Sequence, residues 1–325
     1  MEGQPGGRDG PDGVSYSLVS PRLHPALIVL LVVAICAGLV FGLAYWKSSR
    51  SASPGGLLAH LPAEEGVILA IDFAALRQIG LLEALASSSV AQEPEYQSFL
   101  TETGFDYNQD LDYAVAWFHG ETTCVLLRGR FDWGRLKAYA VSQGGTCRNA
   151  FCRLQGSTPN RKISFFPLST DVMALAVSPD EWAANGLARD VPQRRGMAIP
   201  PQPVWLLLPA SRLRSAESLP AGTRLFAKAM EGTDKVVLSL AGRDKLEIRL
   251  EATCHSAREA SVLAFQLDGV TRLLREMIAK EGREPNPRDF SGVLAAGSFN
   301  AMDQRVLGRW PVGREFLQSI LEDSR

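Results

Sequence analysis

One uninterrupted apolar segment constrains this chain more than any other feature of the sequence. Residues 25–46 read PALIVLLVVAICAGLVFGLAYW, without a charged side chain, and Lys47 follows directly. A helix of about 20 apolar residues crosses the hydrocarbon core of a bilayer, and Tyr and Trp favour the interface where such a helix ends. The segment predicts a single transmembrane helix, preceded by a disordered polar tail at residues 1–24.

Two other interpretations of this segment have less support. A buried core helix of a soluble protein is usually shorter and carries a polar stripe. A cleaved signal peptide has an apolar centre of about 7–15 residues followed by a small-x-small cleavage site. Here the segment is longer, and no good site follows it until residues 51–53, which directly precede Pro54. We therefore expect an uncleaved signal-anchor.

The charges beside the segment do not decide its orientation. Arg8 and Arg22 precede it, and Lys47 and Arg50 follow it, so the positive-inside rule gives a tie. A single N-terminal anchor ahead of a large region usually exports that region. We therefore expect a single-pass protein of the bacterial inner membrane, with its C-terminal part outside the cytoplasm. A cytoplasm-facing membrane adaptor is the alternative topology.

Small residues recur along one side of the predicted membrane helix. Ala34, Gly38 and Gly42 are spaced by four, a pattern that lets two membrane helices approach closely. They form a candidate dimer face, although small residues also occur in membrane helices by chance. The expected partners are therefore the lipid bilayer, a second copy of the chain and an unidentified envelope protein.

Charge and length limit what the remaining residues do. Lys and Arg total 34 and Asp and Glu total 35, for a net charge of -1, which leaves no electrostatic basis for binding nucleic acid. The chain beyond the anchor is long enough for two domains. Ser-, Gly- and Pro-rich residues 47–60 predict a linker, and proline-rich residues 191–203 predict a second linker between α+β domains at 61–190 and 204–325.

The apolar pattern predicts an α+β fold in which two strands and a helix recur. The strand pairs are expected at 112–118 with 122–129, 162–167 with 172–177, 235–240 with 245–254, and 293–299 with 305–310. The helices after them are expected near 132–142, 179–187, 256–281 and 311–322. Alternation of Leu246, Ile248 and Leu250 with charged residues predicts antiparallel sheets with one wet face and helices on the other face.

Capping boxes of the form S-x-x-E mark two of these helix starts, at residues 178–181 and 256–259. In the second helix, an apolar stripe from Ala260 to Met277 predicts packing against a core. With fewer than three full heptads, a coiled-coil seam has less support.

The cysteines outside the membrane segment offer a disulfide. Cys147 and Cys152 flank a short segment whose Asn149 is suited to a turn, so a hairpin would bring the two sulfur atoms together. A metal site has less support, because the spacing is unusual and no second Cys or His pair accompanies it. Pairing of Cys124 with Cys254 stays open.

No segment of the sequence carries a recognisable catalytic or cofactor signature. Residues 106–112 (DYNQDLD) begin like a calcium loop, but Leu111 stands where the loop needs Gly and Trp117 where it needs Glu. We interpret them as a turn that leads into a strand. Phosphate-binding, dinucleotide, zinc-protease and nucleophile-elbow motifs do not occur. We therefore name no catalytic, metal or cofactor residue.

Three segments resemble uncharacterised bacterial envelope proteins that are membrane-anchored or secreted. They are residues 103–106 (TGFD) with 110–112 (DLD), residues 127–132 (LRGRFD) and residues 61–63 (LPA). The resemblance covers about residues 61–190 and implies an envelope location and an α+β region, with no functional residue to carry over. The cysteine pair departs from that pattern.

These observations favour a non-catalytic, extracytoplasmic binding or scaffolding module held at a membrane. An extracytoplasmic hydrolase, whose active-site residues are distant in sequence, is the alternative.

Overall fold

The computed structural model describes residues 53–82, 94–194, 196–214, 221–242, 245–313 and 316. The predicted tail and the predicted membrane helix, with Ala34, Gly38 and Gly42, lie outside these residues. Among the helices that are described, none combines the length and the apolar character needed to cross a bilayer. The membrane anchor therefore stays a prediction.

Strands and helices are interspersed along the described chain. The strands are β1 (Val67–Asp72), β2 (Leu111–His119), β3 (Thr122–Gly129), β4 (Thr146–Arg148), β5 (Phe151–Gln155), β6 (Lys162–Pro167), β7 (Val172–Ser178), β8 (Val204–Pro209), β9 (Lys235–Ala241), β10 (Leu246–Thr253), β11 (Ser298–Met302) and β12 (Arg305–Val312). The α-helices are α1 (Pro54–Ala59), α2 (Phe73–Gln78), α3 (Pro94–Thr103), α4 (Tyr107–Asp110), α5 (Trp133–Ser142), α6 (Ala210–Leu213), α7 (Ala221–Ala229), α8 (Ala257–Lys280) and α9 (Phe290–Ala295). Two 3-10 helices lie at Ala183–Ala188 and Pro192–Arg194.

Within the described residues, twelve strands form one continuous sheet. Its order is β11-β12-β10-β9-β8-β1-β2-β3-β7-β6-β5-β4, and neighbouring strands run antiparallel. Strands β1 and β8 join the two halves, where Ile68 pairs with Leu207 and Ile71 with Val204. The predicted α+β class with an antiparallel sheet is confirmed.

Each half of this sheet has its own apolar core. In the C-terminal half, α8 packs on β11 and β12, and Leu267 of α8 shares a buried cluster with Leu250 of β10. In the N-terminal half the largest core lies on the opposite face, where α1 and the 3-10 helix Ala183–Ala188 cover Val115 and Leu126. The longer helices α5 and α8 share one face. The described residues belong to one compact unit, and separate folding of the two halves stays a prediction.

The second face of the C-terminal half is open and polar. Glu247, Arg249 and Glu251 of β10 project away from α8, and Arg305 of β12 binds Glu251 at 3.1 Å. This is the wet face expected from the alternation in β10.

The proline-rich segment 191–203 is tied to the start of the fold. The guanidinium of Arg194 donates hydrogen bonds to the carbonyl of Pro62 at 2.7 and 2.9 Å and to that of Glu64 at 2.8 Å. Burial lowers the pKa of Arg194. This arginine therefore fixes the segment against the chain that leads into β1.

The fold begins earlier than the predicted linker at 47–60 allows. Ser53 caps α1 by accepting a hydrogen bond from the backbone N–H of Gly56, and Pro54 occupies its first turn. Leu57 and Leu58 are fully buried. The polar composition around them concealed a short helix that is part of the N-terminal core.

Four other predicted features differ from the structure, the last of them in part. The predicted strand at 293–299 begins in α9, which has Asp289 as its cap and ends at Ala295, and only Ser298 and Phe299 belong to a strand, β11. β12 ends at Val312, although the sequence predicted that a helix begins at residue 311. The capping box at 178–181 is wrong, because Glu181 binds Arg153 and only a 3-10 helix follows. At 256–259 the box is half formed, since Ser256 caps α8 but Glu259 accepts from the N–H of His255.

Candidate ligand-binding cavity

A cavity of about 230 Å³ lies between α3, α5 and the sheet in the N-terminal half. It lies on the face of the sheet that α5 covers, over β3, β5, β6 and β7. Its lining residues are Phe99, Phe105, Leu127, Phe131, Leu136, Tyr139, Ala140, Leu154, Ile163, Phe165, Met173 and Leu175.

Aromatic rings form the helix side of this cavity. The ring centroid of Phe99 lies 5.1 Å from that of Tyr139 and 6.2 Å from that of Phe105, both edge to face. Phe105 then stacks on Phe131 at 5.3 Å. Such pairs stabilise by about 0.5–1.5 kcal/mol beyond their burial. The wall is thus held together by ring packing.

Apolar side chains of the sheet, most of them aliphatic, form the floor. Leu154 pairs with Ile163, and Phe165 pairs with Leu175, and directly opposed residues project to the same face. Leu154, Ile163 and Leu175 are only half-buried although they face the helices. The cavity leaves part of their surface accessible.

Helix α5 is positioned by a cap at each end. Asp132 accepts a hydrogen bond from the N–H of Arg135 at 3.0 Å, which satisfies a free donor of the first turn. Gly144 follows the helix with φ at 78°, and the N–H of Gly145 donates to the carbonyl of Ala140, as in a Schellman ending. Between the caps, Leu136 and Ala140 lie one turn apart and both face the cavity.

Two of the segments that resemble envelope proteins meet at the edge of the cavity. The side chain of Arg130 donates to Asp110 at 3.1 Å, and its backbone N–H donates to the carbonyl of Asp110 at 2.8 Å. The other carboxylate oxygen of Asp110 accepts from the N–H of Asp106. This clasp places Phe105 beside Phe131, so the TGFD and LRGRFD segments contribute a wall of the cavity.

Residues 106–112 form a capped turn. Asp106 accepts a hydrogen bond from the N–H of Asn108 at 2.9 Å, and β2 begins at Leu111. In the described part of the chain, no group of three or more His, Cys, Asp or Glu side chains is arranged to hold a metal ion.

The structure joins Cys147 and Cys152 by a disulfide across the β4–β5 hairpin. The two residues are directly opposed in the register, with Cα atoms 4.1 Å apart, and Asn149 has a φ of 54° in the turn between them. Cys152 is fully buried in the cluster that includes Leu136 and Ala140. The disulfide therefore lies beside the cavity, under α5.

We expect reduction of this disulfide to lower thermal stability. Closing so short a loop is worth about 2 kcal/mol in the chain-entropy model, which corresponds to about 4–8 °C in Tm for a protein of this size. Circular dichroism melts with and without a phosphine reductant measure the change. A variant with both Cys147→Ala and Cys152→Ala should melt at the lower temperature and ignore the reductant. An unchanged Tm after proven reduction contradicts the prediction.

The other two described cysteines are free thiols. Cys124 and Cys254 are both buried and do not pair with each other, which answers the question left open by the sequence. Burial raises the pKa of Cys124 to about 11, and burial also raises the pKa of Cys254. Both side chains therefore stay protonated at neutral pH and act as small core residues.

The chemistry of the cavity is that of apolar contact. Among its lining side chains, only Tyr139 carries an oxygen or nitrogen atom, so its phenol is the one titratable group that these walls offer. The sequence did not identify this site. Its aromatic residues come from several elements, and only Phe105 and Phe131 lie in segments that the sequence singled out.

Comparison with known proteins gives no assignment. No family model matches the chain, and no curated protein matches it in sequence. Solved structures of crystal forms I and III of TP0453 each match with 10% identity and a TM-score of 0.45, over 82% of this chain and 97% of that one. Crystal form IV matches with a TM-score of 0.44. These scores are too low to assign a shared function.

Proposed function

We propose that this chain is a single-pass, membrane-anchored binding module that holds one hydrocarbon chain or ring system in the cavity beneath α5. The observation that carries the proposal is the composition of the cavity, whose lining consists of aromatic and other apolar side chains with the Tyr139 hydroxyl as the one polar group. A largely apolar concave site is the usual form of a small-molecule pocket.

The size of the cavity restricts its ligand. An apolar cavity of about 150 Å³ is large enough to bind benzene, and pockets for drug-sized ligands start near 300 Å³. The volume of about 230 Å³ lies between these values. It suits one short alkyl chain or one small aromatic system.

A location at the bacterial inner membrane, with the folded part exported, fits this ligand. The apolar segment 25–46 supports an anchor, and the Cys147–Cys152 pair suits an oxidising compartment. The resemblance of residues 61–190 to envelope proteins points the same way. An anchored site meets membrane-dissolved hydrocarbon chains at high effective concentration. The lipid bilayer would then be both the support and the source of ligand.

The alternative of a hydrolase has less support. His255 lies 2.9 Å from Asp234, and His60 lies 3.2 Å from Asp190, so two His–Asp pairs exist. Among the described residues, neither histidine hydrogen-bonds a serine or cysteine side chain, which a nucleophile needs for activation.

The proposal predicts that the fragment 53–325 binds naphthalene, an uncharged two-ring probe of the size that the cavity admits and whose own fluorescence reports binding. Hexanoic acid should displace it. The substitution Ala140→Phe fills the cavity from α5, since Ala140 is 2% exposed and lines it. We expect probe affinity to fall about tenfold, or about 1.4 kcal/mol.

The matched control is Ala138→Phe, which makes the same change on the exposed side of α5. It should leave the affinity unchanged. Urea unfolding of both variants checks that each is folded. Equal affinity of the wild-type fragment and a folded Ala140→Phe variant, or no probe binding by the wild type, refutes the proposal.

A further inference from the structure

The open face of the C-terminal half carries a second cavity, of about 680 Å³. Its floor is the polar side of β9, β10, β11 and β12, and residues 198–202 of the proline-rich segment form one wall. No residue lines both this cavity and the one beneath α5. Ligand pockets in proteins measure about 300–1,000 Å³, so the second cavity is large enough for a small organic molecule.

The wall formed by residues 198–202 is fixed before and after these residues. Arg194 ties the preceding chain to Pro62, as described above. The carbonyl of Pro203 accepts a hydrogen bond from the N–H of Asp72 at 2.6 Å. Between these two anchors, Ile199 packs against the N-terminal core. The cavity is therefore preformed, as small-molecule sites usually are.

The charged side chains that line this cavity carry an excess of positive charge. Four are basic and two are acidic, namely Lys235, Arg249, Arg305 and Arg309 with Glu247 and Glu251. Glu247 binds Arg249, and Glu251 binds Arg305. Within the part of the chain that the structure describes, Lys235 and Arg309 make no ion pair. The cavity therefore keeps two positive charges that no acidic side chain neutralises.

Two arginines of the floor directly oppose each other. Arg249 of β10 pairs in register with Arg309 of β12, which places their Cβ atoms about 4.5–5.5 Å apart on one face. In the same row, Ser239 lies beside Arg249. On the other side, Ser298 lies beside Arg309 and accepts a hydrogen bond from its Nε at 3.1 Å. Like charges in direct opposition destabilise a sheet, and an anion between the two guanidinium groups would relieve this repulsion.

We infer that this cavity binds the phosphate group of a small molecule between Arg249 and Arg309. A phosphate monoester carries a charge of about -1.5 to -2 at neutral pH, which matches the two unneutralised positive charges, whereas a carboxylate carries only one charge. Guanidinium groups bind phosphate oxygens through paired N–H···O bonds. Among the described residues, the Nη atoms of the two arginines have no hydrogen-bond acceptor, so they are free to donate to a phosphate.

The rest of the cavity suits the organic part of such a ligand. The half-buried Val237 and Leu307 lie one row along the floor from the arginine pair, and Pro200 and Pro201 stand in the wall. These side chains offer apolar contact beside the phosphate position. Lys235 lies in the following row and supplies the second positive charge. A phosphate monoester of an organic group therefore fits the cavity better than a bare ion does.

Isothermal titration calorimetry of the full-length chain in an uncharged detergent tests the site. At constant ionic strength, inorganic phosphate should bind saturably with a Kd of about 1 mM or lower, and acetate should bind more weakly. The substitution Arg309→Gln should weaken phosphate binding about tenfold, because charge-assisted hydrogen bonds are lost. Arg309→Lys should recover only part of the affinity, since an ammonium group lacks the planar fork.

Two further variants separate the site from general effects of charge and folding. Arg272→Gln makes the same change at an exposed position of α8, on the other face of the sheet, and should leave the affinity unchanged. Glu247→Gln should tighten phosphate binding about threefold, because it raises the excess charge and releases Arg249. A gain in affinity does not arise from damage to the fold.

A second pair of titrations identifies the source of the phosphate group. Glycerol 3-phosphate and dihexanoylphosphatidic acid share this group, and only the second carries acyl chains. Competition with phosphate by both compounds supports a lipid headgroup, and competition by glycerol 3-phosphate alone supports a soluble ligand. The variant Ala140→Phe should bind phosphate like the wild type, so the two cavities are tested separately. The inference fails if phosphate does not saturate the protein, if Arg309→Gln binds as well as Arg272→Gln, or if Glu247→Gln weakens binding.

Discussion

A fragment that starts at Ser53 should fold, and a fragment that starts at Leu61 should not. The eight residues between them include Leu57 and Leu58, which are fully buried in the N-terminal core. Loss of one buried leucine side chain costs about 2–5 kcal/mol. Loss of both approaches the whole stability of a typical domain, about 5–15 kcal/mol. Urea unfolding followed by tryptophan fluorescence measures the difference.

Point variants in the fragment 53–325 test whether the lost packing of the leucines, and not the shorter chain, lowers the free energy of unfolding. Leu58→Ala should lower the free energy of unfolding by about 2–5 kcal/mol. The control Gly55→Ala changes an exposed position of the same helix, where the new Cβ makes only an ordinary contact with Ile199. It should leave stability unchanged or slightly higher. Equal unfolding midpoints for fragments that start at 53 and 61 would show that the folded part begins at Leu61.

The error at α1 shows where composition is a poor guide. Gly, Ser and Pro dominate residues 47–60 and indicate a linker, but Ser53 and Pro54 are also a standard helix start. Two adjacent leucines are too few to define a period. Whether they are buried depends on distant strands, whose Val115 and Leu126 belong to the same core cluster as the two leucines.

Most strands were predictable because one face of the sheet is covered by helices. Apolar residues then alternate with polar residues along each strand, and this pattern can be recognised in the sequence. β10 shows this best, with Leu246 and Leu250 buried beneath α8 and Arg249 exposed. The strand predicted at 293–299, where the structure has part of α9, was wrong for the opposite reason. Val293, Leu294 and Ala295 are all buried, and an apolar run without a polar position does not separate a helix from a strand.

The cavity depends on contacts that no local pattern reports. Its floor and its walls come from α3, α5 and four strands, separated by long stretches of sequence. The resemblance to envelope proteins marked Phe105 and Phe131 without giving them a role. Their rings stack because Arg130 binds Asp110 and so brings the two segments together, a contact that no sequence pattern reports.

Gly129 is the residue on which this clasp depends, and Gly129→Ala should disrupt both the fold and the cavity. A Cβ at this position would collide with the backbone carbonyl oxygen of Asp110. The same carbonyl accepts the hydrogen bond from the N–H of Arg130, so it cannot retreat without breaking that bond. The register shift between Leu111 and Tyr113, opposite Gly129, is a bulge of the kind that glycine permits.

We expect Gly129→Ala to cost about 3 kcal/mol, the upper range for an overpacked buried site, and about 6–12 °C in Tm. Because Phe131 follows two residues later and stacks on Phe105, probe binding should weaken as well. The control is Gly186→Ala, at an exposed position where a Cβ meets nothing within 4 Å, and its Tm should match the wild type. If Gly129→Ala melts like this control, the close approach of Asp110 does not hold the clasp, and the TGFD and LRGRFD segments do not set the wall of the cavity. If Gly129→Ala loses stability but keeps full probe affinity, the clasp supports the fold and the cavity wall forms without it.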